Sequence, residues 1–329
     1  MKKILNRLFD HEKLTRDEAR EVLSKIAAEE YNDAQVAAFI TVFLMRTVSK
    51  DELNGFRDAL LDRCLKVDLG GVESIDLCGT GGDGKNTFNV STLSSFVVAG
   101  AGYKVTKHGN YGVSSVCGSS NVLEALGYNF TNDVDTLKRQ LDNSNITFLH
   151  APLFHPAMKS VAPVRRNLGV KTFFNMLGPI VNPARPTHQI SGVFSLKLLR
   201  IYNFILQEAN VHYKVLHALD GYDEVSLTGD FKMASNEGEE VLSPSDLALP
   251  RVNPSDIFGG DTIEEAKGLF EKIISGEGTT EQISVVAANA GLAIHTFSPK
   301  MELEKCVEKA KESLQSGKAH QALKNLLSV

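Results

Sequence analysis

The sequence has no excess of basic residues, no long apolar run and no paired-cysteine motif. Its 35 Lys and Arg residues face 40 Asp and Glu residues, a formal net charge of −5, whereas nucleic-acid-binding proteins usually show a basic excess. No stretch reaches the roughly eighteen apolar residues that span a bilayer, and the N-terminal residues MKKILNRLFDHEK lack the apolar segment of a secretory signal. We therefore expect a soluble, cytoplasmic protein with no nucleic-acid and no membrane partner.

The cysteines are few and far apart in the chain. Cys64, Cys78, Cys117 and Cys306 show no CxxC spacing, so we expect reduced, structural thiols of the kind found in intracellular proteins. Cys117 lies in a loop rich in glycine and serine, and a reactive thiol at that position remains the alternative.

Roughly the first 65 residues are patterned as helices only. The segment 34–45 is apolar on nearly every face, which indicates a helix buried in a small bundle and at a contact between copies of the chain. Three N-cap signatures, each an Asn, Ser or Thr followed three residues later by Glu or Gln, predict the helix starts. They are Thr15 with Glu18, Asn32 with Gln35, and Ser49 with Glu52.

From about residue 72 onward, short apolar strands alternate with helices, which predicts an α/β domain with a mainly parallel central sheet. The charged C-terminal segment 301–328 is predicted to form one amphipathic helix. A chain of 329 residues with 43% apolar composition can bury a large core. We predict a helical domain over residues 1–70, joined by part of 155–186, and an α/β domain over residues 71–329. The predicted strands are 74–77, 103–106, 147–149, 189–193 and 214–218.

The glycine-rich stretch 78–92, CGTGGDGKNTFNVST, is the strongest functional signal. It follows a predicted strand and opens an apolar helix, so main-chain N–H groups and the positive end of the helix dipole converge on one anion site. A tight turn without a ligand is the alternative. The stretch also fits the start of a GxxxxGK phosphate loop, but Asn86 replaces the required Ser or Thr, which argues against a P-loop NTPase.

A second polar loop, residues 107–121, begins at a strand end and closes at a helix N-terminus in the same way. Lys107 offers a charge for a phosphate, and Ser115 and Ser119 offer hydroxyl groups. His108 could act as a general acid or base, or could instead orient the backbone or the ligand. Two such loops at neighbouring strand ends could hold one ligand from two sides.

Two further stretches carry charge suited to binding. Arg165 and Arg166 lie among apolar and aromatic residues, where a guanidinium group can bind a flat carboxylate in bidentate fashion; a surface salt bridge is the alternative. Asp223 and Glu224 follow a predicted strand, and paired carboxylates beside phosphate loops favour Mg²⁺ over a solvated turn.

Taken in order, four motifs resemble the anthranilate phosphoribosyltransferase family over essentially the whole chain. They are GTGGDGKNTFNVST, KHGN with its Ser/Gly loop and VLEALG, FHPAMKSVAPVRRNLGVKTFFNMLGPIVNPA, and GYDEVS. The resemblance implies a fold of the nucleoside phosphorylase and phosphoribosyltransferase type, with a small helical domain, a larger α/β domain and a homodimer formed through the helices. It also implies transfer of a phosphoribosyl group from phosphoribosyl pyrophosphate to the amino group of anthranilate, with release of pyrophosphate, in tryptophan biosynthesis.

The resemblance implies roles for individual residues, and none of them is assigned as a firm catalytic group. Lys107 and a magnesium ion would stabilise charge on the leaving group. Magnesium ligands would be Ser91, Asp223 and Glu224. Positions for phosphoribosyl pyrophosphate are Gly79, Gly82, Asp83, Thr87, Asn89, Ser91, Thr92, Lys107 and Ser119. Positions for anthranilate are Gly79, His108, Asn110, His155, Arg165 and Gly178.

The second loop departs from the family pattern. Tyr111 and Val116 replace basic residues, and Asn121 replaces an acidic one, which leaves fewer positive charges near the expected phosphates. Two alternatives remain open at this point: a pyrimidine nucleoside phosphorylase of the same fold, and a non-catalytic, nucleic-acid-binding relative.

Overall fold

The structure, a computed structural model, describes residues 1–112 and 116–329 of the chain. Helices and strands follow each other in chain order. The helices are α1 (Lys2–Phe9), α2 (Arg16–Ala27), α3 (Asp33–Met45), α4 (Lys50–Arg63), α5 (Val90–Gly100), α6 (Ser119–Ala125), α7 (Val134–Ser144), α8 (Ala151–Phe154), α9 (Ala157–Leu168), α10 (Leu196–Glu208), α11 (Ile263–Ile274), α12 (Thr280–Phe297), α13 (Leu303–Gln315) and α14 (Lys318–Leu327). The strands are β1 (Ile75–Gly79), β2 (Val105–Gly109), β3 (Ile146–His150), β4 (His188–Gly192), β5 (His212–Ala218), β6 (Phe231–Ser235) and β7 (Gly238–Leu242).

The chain divides into two compact units. A helical unit comprises Met1–Val67 and Ala151–Pro183, and an α/β unit comprises Asp68–His150 and Ala184–Val329. Within the part of the chain that the structure describes, no helix has the length and apolar character needed to cross a membrane.

The helical unit is organised by capped helices around an aromatic core. The three predicted capping boxes at the starts of α2, α3 and α4 are confirmed, each with both reciprocal hydrogen bonds. The rings of Phe39, Phe43, Phe56 and Phe173 contact one another, with Phe56 and Phe173 stacked at 4.4 Å. The predicted burial of the segment 34–45 in the bundle holds for Val36, Phe39, Ile40, Val42 and Phe43, whereas Leu44 is 42% and Met45 84% exposed at the end of α3. The contact between copies of the chain stays a prediction.

The α/β unit is built on one seven-stranded sheet in the order β3-β2-β1-β4-β5-β6-β7. The first five strands in this order are parallel, and β6 and β7 add an antiparallel pair at one edge. The predicted fold class, a helical domain with a larger α/β domain and a mainly parallel sheet, is confirmed. The predicted strands correspond to β1 to β5, whereas the pair β6 and β7 was not predicted.

The strand β1 lies between β2 and β4 in the sheet. From β1 the chain first builds the sheet on one side, with β2 and β3, and then on the other side, starting with β4. Ligands of such sheets bind at the carboxyl ends of the strands where the order reverses. Helices α5 and α12 form the core beside these strands, and α12 has nearly every residue buried. The C-terminal segment was wrongly predicted as one helix: Gly317, at φ +75°, separates α13 from α14.

Candidate active site

The first glycine loop leaves the carboxyl end of β1 and closes at the N-terminus of α5. Gly81, Gly82 and Gly84 all have positive φ, between 63° and 83°, so the main chain turns in a way that L side chains rarely allow. At Gly79 a Cβ atom would lie only 2.4 Å from Oδ2 of Asp223. Glycine at this position therefore permits the turn that carries Asp223 and Glu224 (the acidic turn) to approach the end of β1.

Asp223 and Glu224 hydrogen-bond to the first glycine loop. The Gly81 N–H donates to Oδ2 of Asp223 at 2.6 Å, and the Thr87 hydroxyl donates to Oε1 of Glu224 at 2.6 Å. The main-chain N–H of Asp223 in turn donates to Asp83 at 3.4 Å. The carboxylates and the loop thus form one hydrogen-bonded assembly.

The enclosure of this acidic pair disfavours two negative charges. Burial and the nearby Asp83 raise the pKa of Asp223 to about 7, and burial together with Asp223 raises the pKa of Glu224 well above its usual range. A bound cation would reverse this effect, because it favours the ionised carboxylates. The pair is therefore suited to bind a cation.

Lys107, on β2, brings a buried amine to the same region. Its side chain is 1% exposed, and Nζ donates to the Leu77 carbonyl oxygen at 2.5 Å and approaches Oγ of Ser91 at 3.4 Å. Burial lowers the pKa of this amine, while Asp76 and Glu224 act in the opposite direction. The neighbouring carboxylates thus partly offset the cost of placing a cation in the interior.

The acidic pair Asp223 and Glu224 lines a cavity in the α/β unit. Ser91, in the first turn of α5, lines it together with both members of the acidic pair. The full lining is Leu77, Cys78, Gly79, Ser91, Ile190, Gly192, Leu216, Asp223, Glu224 and Asn289. Of the predicted donor-site residues, Gly79 and Ser91 thus share this cavity with the acidic pair, and Lys107 lies beside it through its contact with Ser91.

Two side-chain oxygens in this region are buried without a hydrogen-bond partner among the described residues. They are Oγ1 of Thr80, in the first loop, and Oδ1 of Asn89, at the N-cap of α5. The amide nitrogen of Asn89 donates to the Cys117 carbonyl oxygen at 2.9 Å and so links the two glycine loops. Buried polar atoms normally find a partner, so these oxygens are available to a ligand. Thr92, also predicted, is buried in the first turn of α5.

The second loop is closed by hydrogen bonds at its two ends. Oδ1 of Asn121 accepts from the N–H groups of Gly112 and Gly118, at 2.9 and 3.0 Å, and the Ser119 hydroxyl donates to the Asn110 carbonyl oxygen at 3.2 Å. His108 lies upstream on β2 and is 5% exposed. The predicted residue Ser115 lies outside the described residues.

Burial disfavours the thiolate forms of the two cysteines in this region. Burial and the adjacent Asp76 raise the pKa of Cys78 well above its usual range, and burial raises the pKa of Cys117 to about 11. Because the thiolate is the reactive form of cysteine, these residues are structural.

A segment that the sequence did not indicate, residues 257–260, holds the second half of the first glycine loop. The Gly259 N–H donates to the Asn86 carbonyl oxygen at 2.8 Å, and the Asn86 side chain donates to the Gly260 carbonyl oxygen at 2.8 Å. The Phe88 N–H donates to the Ile257 carbonyl oxygen at 3.2 Å, and Thr87 pairs with residue 258 in an antiparallel bridge. Asn86, which excluded a P-loop in the sequence, thus has a structural role in fixing the loop.

The other predicted acceptor residues belong to the helical unit. Arg165, near the end of α9, is half-buried with Cζ 5.1 Å from the centre of the Phe174 ring, and burial lowers its pKa. His155 is buried, and burial lowers its pKa to about 4. Gly178 begins a short 3-10 helix and has open space where a side chain would be.

Few side chains among residues 1–112 and 116–329 are placed to bind a metal ion together. No group of three or more His, Cys, Asp or Glu residues that could hold a metal ion occurs among them. Asp223 and Glu224, with the Ser91 hydroxyl lining the same cavity, fit Mg²⁺, which commonly takes one or two carboxylates and keeps positions for water and phosphate oxygens.

Two family models match the chain. The helical bundle domain of a glycosyl transferase family matches residues 2–64. The a/b domain of a glycosyl transferase family matches residues 71–320.

Similar proteins share one name. The chain is 55% identical over 326 residues to an anthranilate phosphoribosyltransferase of Christiangramia forsetii, with 99% of this chain and 98% of that protein covered. A crystal structure of anthranilate phosphoribosyltransferase from Thermus thermophilus is similar with a TM-score of 0.91 and 32% identity, covering 98% of each chain. A variant of the Saccharomyces cerevisiae anthranilate phosphoribosyltransferase with Mg bound is similar with a TM-score of 0.85 and 25% identity, covering 96% of this chain and 92% of that one.

Proposed function

The chain belongs to the anthranilate phosphoribosyltransferase family, and we propose that its two glycine loops bind the pyrophosphate-bearing substrate of that reaction. The enzyme transfers the phosphoribosyl group of phosphoribosyl pyrophosphate to the amino group of anthranilate, giving phosphoribosylanthranilate and pyrophosphate in tryptophan biosynthesis. The observation that carries the donor site is that Ser91 and the Asp223–Glu224 pair line one cavity, with the first glycine loop hydrogen-bonded to the pair and the Lys107 amine 3.4 Å from Oγ of Ser91. The proposed donor-binding residues are Gly79, Gly82, Asp83, Thr87, Asn89, Ser91, Thr92, Lys107 and Ser119.

We propose Mg²⁺ as the cofactor, held by Asp223, Glu224 and Ser91. The carboxylates are raised in pKa by their surroundings, and a divalent cation would stabilise their ionised forms. When bound, Mg²⁺ supplies Lewis-acid stabilisation of negative charge on phosphate oxygens.

The chain's own residues contribute charge stabilisation and positioning. As the bond from ribose to pyrophosphate breaks, negative charge grows on the leaving group, and the loop N–H groups and the Lys107 amine are preorganised to meet it. The amine of anthranilate is neutral at pH 7, so its alignment with the ribose carbon matters more than its deprotonation. No general base is assigned.

We propose anthranilate-binding roles for six individual residues, which are Gly79, His108, Asn110, His155, Arg165 and Gly178. The reason for Arg165 is chemical: a guanidinium group binds a carboxylate through two parallel hydrogen bonds. Its position over the Phe174 ring orients the planar fork. Arg165→Ala should therefore raise the KM for anthranilate more than the KM for phosphoribosyl pyrophosphate, and the opposite ranking would mean that the acceptor site is placed wrongly.

The function is tested by following anthranilate fluorescence with phosphoribosyl pyrophosphate, with and without Mg²⁺. We expect magnesium-dependent loss of fluorescence. Turnover of a pyrimidine nucleoside with phosphate, and none with the expected pair, would instead favour the nucleoside phosphorylase alternative. Binding of nucleic acid without turnover would favour the non-catalytic alternative.

We also propose a homodimer that forms through the helical unit, because apolar side chains at the ends of α1 and α3 are exposed. Phe9 is 57% and Met45 84% exposed, and such residues often mark protein contacts when they are contiguous. Light scattering should give twice the chain mass, and Met45→Glu should shift it toward the monomer.

The cytoplasmic location also stays a prediction from the sequence. Cell fractionation would check it.

A further inference from the structure

Asn289 is a buried amide in the middle of α12, a helix that is otherwise apolar around that point. Its neighbours Ala288 and Ala290 are fully buried, and Asn289 itself is 6% exposed. Burying an amide costs free energy unless its hydrogen bonds are satisfied. The partners of Asn289 therefore show what the amide does in the fold.

The amide of Asn289 clamps the main chain of Val225 from both sides. Oδ1 accepts from the Val225 N–H at 3.1 Å, and Nδ2 donates to the Val225 carbonyl oxygen at 2.9 Å. Nδ2 also donates to the Val285 carbonyl oxygen, one helical turn earlier, at 2.9 Å. A side chain 64 residues away thus pairs with both main-chain groups of one residue, as a neighbouring strand would.

Val225 directly follows the acidic pair, and Asn289 lines the same cavity as Asp223 and Glu224. On the other side, the main chain of Asp223 packs directly against β4, where a Cβ atom at Gly192 would lie 1.5 Å from the Asp223 carbonyl oxygen. The acidic turn is therefore held between β4 and α12. Neither contact involves the carboxylate oxygens, which accept hydrogen bonds from Gly81 and Thr87 of the first glycine loop instead.

We propose that Asn289 is a positioning residue that orients the Asp223–Glu224 turn for magnesium and the pyrophosphate of the donor substrate. The inference rests on the proposed function of that turn. A metal-ligating group needs outer partners that fix its direction, and loss of such partners typically costs about 10- to 100-fold in metal affinity or activity. Asn289 supplies this support through the backbone of Val225.

The same helix offers a matched comparison for a purely structural role. The hydroxyl of Thr296, also buried, donates to the Leu292 carbonyl oxygen at 2.8 Å within α12. A serine at position 289 could satisfy the Val285 carbonyl oxygen in this way but could not reach Val225. Asn289→Ser thus removes the clamp and retains the bond within the helix, whereas Thr296→Val removes only a bond within the helix.

The test compares wild type, Asn289→Ser and Thr296→Val at saturating phosphoribosyl pyrophosphate, far below their melting temperatures. We expect Asn289→Ser to raise the Mg²⁺ concentration for half-maximal rate by about tenfold or more, with the KM for anthranilate within about twofold of wild type. Thr296→Val should leave both values unchanged. An Asn289→Ser enzyme with the magnesium dependence of wild type overturns the inference, whereas wild type without magnesium-dependent turnover refutes the proposed function instead.

Hydrogen exchange on the wild-type protein decides the question if Asn289→Ser does not fold. A turn clamped by Asn289 is ordered before the metal binds, so peptides covering residues 222–227 should exchange slowly without Mg²⁺ and change by less than about tenfold when it is added. Fast exchange that becomes slow only with Mg²⁺ would show that the metal, not Asn289, orders the turn.

Discussion

Replacing Gly259 with alanine should slow the transfer reaction without unfolding the chain. A Cβ atom at this position would lie 2.4 Å from the Thr87 carbonyl oxygen and 2.9 Å from the Phe88 nitrogen, whereas ordinary contact begins at 3.4 Å. The glycine loop must therefore move by about 1 Å, and misplacement of this size at a reacting group can cost about 100-fold in rate. The moved atoms belong to the residue whose hydroxyl donates to Glu224.

The expected stability loss is small compared with this kinetic effect. The hydrogen bond from the Gly259 N–H to the Asn86 carbonyl oxygen contributes about 1 kcal/mol, which is a modest part of the stability of a folded domain. We therefore expect kcat/KM for phosphoribosyl pyrophosphate to fall about 100-fold, with circular dichroism and cooperative unfolding retained.

The matched control is Gly268→Ala. Gly268 lies in the exposed part of α11 with no atom within 4 Å of the position of an added Cβ, so alanine should stabilise the helix by up to about 1 kcal/mol and leave the kinetics unchanged. If folded Gly259→Ala keeps kcat/KM within about twofold of wild type, the segment 257–260 does not position the loop.

Three further predictions concern charge and hydrogen bonding. Lys107→Met should lower kcat about 100-fold or more while the chain remains folded by circular dichroism; near-normal turnover would exclude Lys107 from charge stabilisation. Thr87→Val should raise the Mg²⁺ concentration for half-maximal rate about tenfold. Thr87→Ser should not, because serine keeps the hydroxyl that donates to Glu224. The same half-maximal Mg²⁺ concentration in both variants would show that this hydrogen bond does not support magnesium binding. Burial lowers the pKa of His155 and His188 to about 4 in the folded chain, so the unfolded chain binds more protons than the folded chain below about pH 6.5. The free energy of unfolding should therefore fall as the pH drops from 6.5 toward 4. In urea titrations, the difference in this free energy between pH 7 and pH 5 should be smaller for His188→Asn than for wild type.

The sequence predicted the parts of the fold that depend on local patterns. The capping boxes at Thr15, Asn32 and Ser49 were identified because the cap and its partner lie three residues apart. The strands β1 to β5 were identified because short segments that contain apolar residues alternate with helical segments along this part of the chain.

The missed parts depend on contacts that are distant in sequence or on single residues. The strand β7 is almost fully exposed, so it has no apolar alternation to mark it. A single glycine at 317, in the left-handed region, breaks a helical pattern that is otherwise continuous.

The support of the candidate site was also hidden from the sequence. The segment 257–260 holds the glycine loop mainly through main-chain hydrogen bonds, which leave no side-chain signature. Asn289 contacts a residue 64 positions away, and the sequence gives no sign of which residue an asparagine in an apolar helix will contact. By contrast, the glycine loop and the acidic pair were visible because their chemistry resides in the residue types themselves.

The hydrogen bond from the Gly81 N–H to Asp223 has a consequence for how tightly this site can bind. In the folded chain the Gly81 N–H already donates to the chain's own carboxylate, so a phosphate bound as proposed would exchange one oxyanion for another at this donor. The affinity of the proposed site would then reflect two anions competing for the same amide, and we expect it to be lower than that of a loop whose N–H groups have no partner. On release of pyrophosphate from the proposed site the carboxylate would return to the amide, so we expect Asp223 to assist departure of the product.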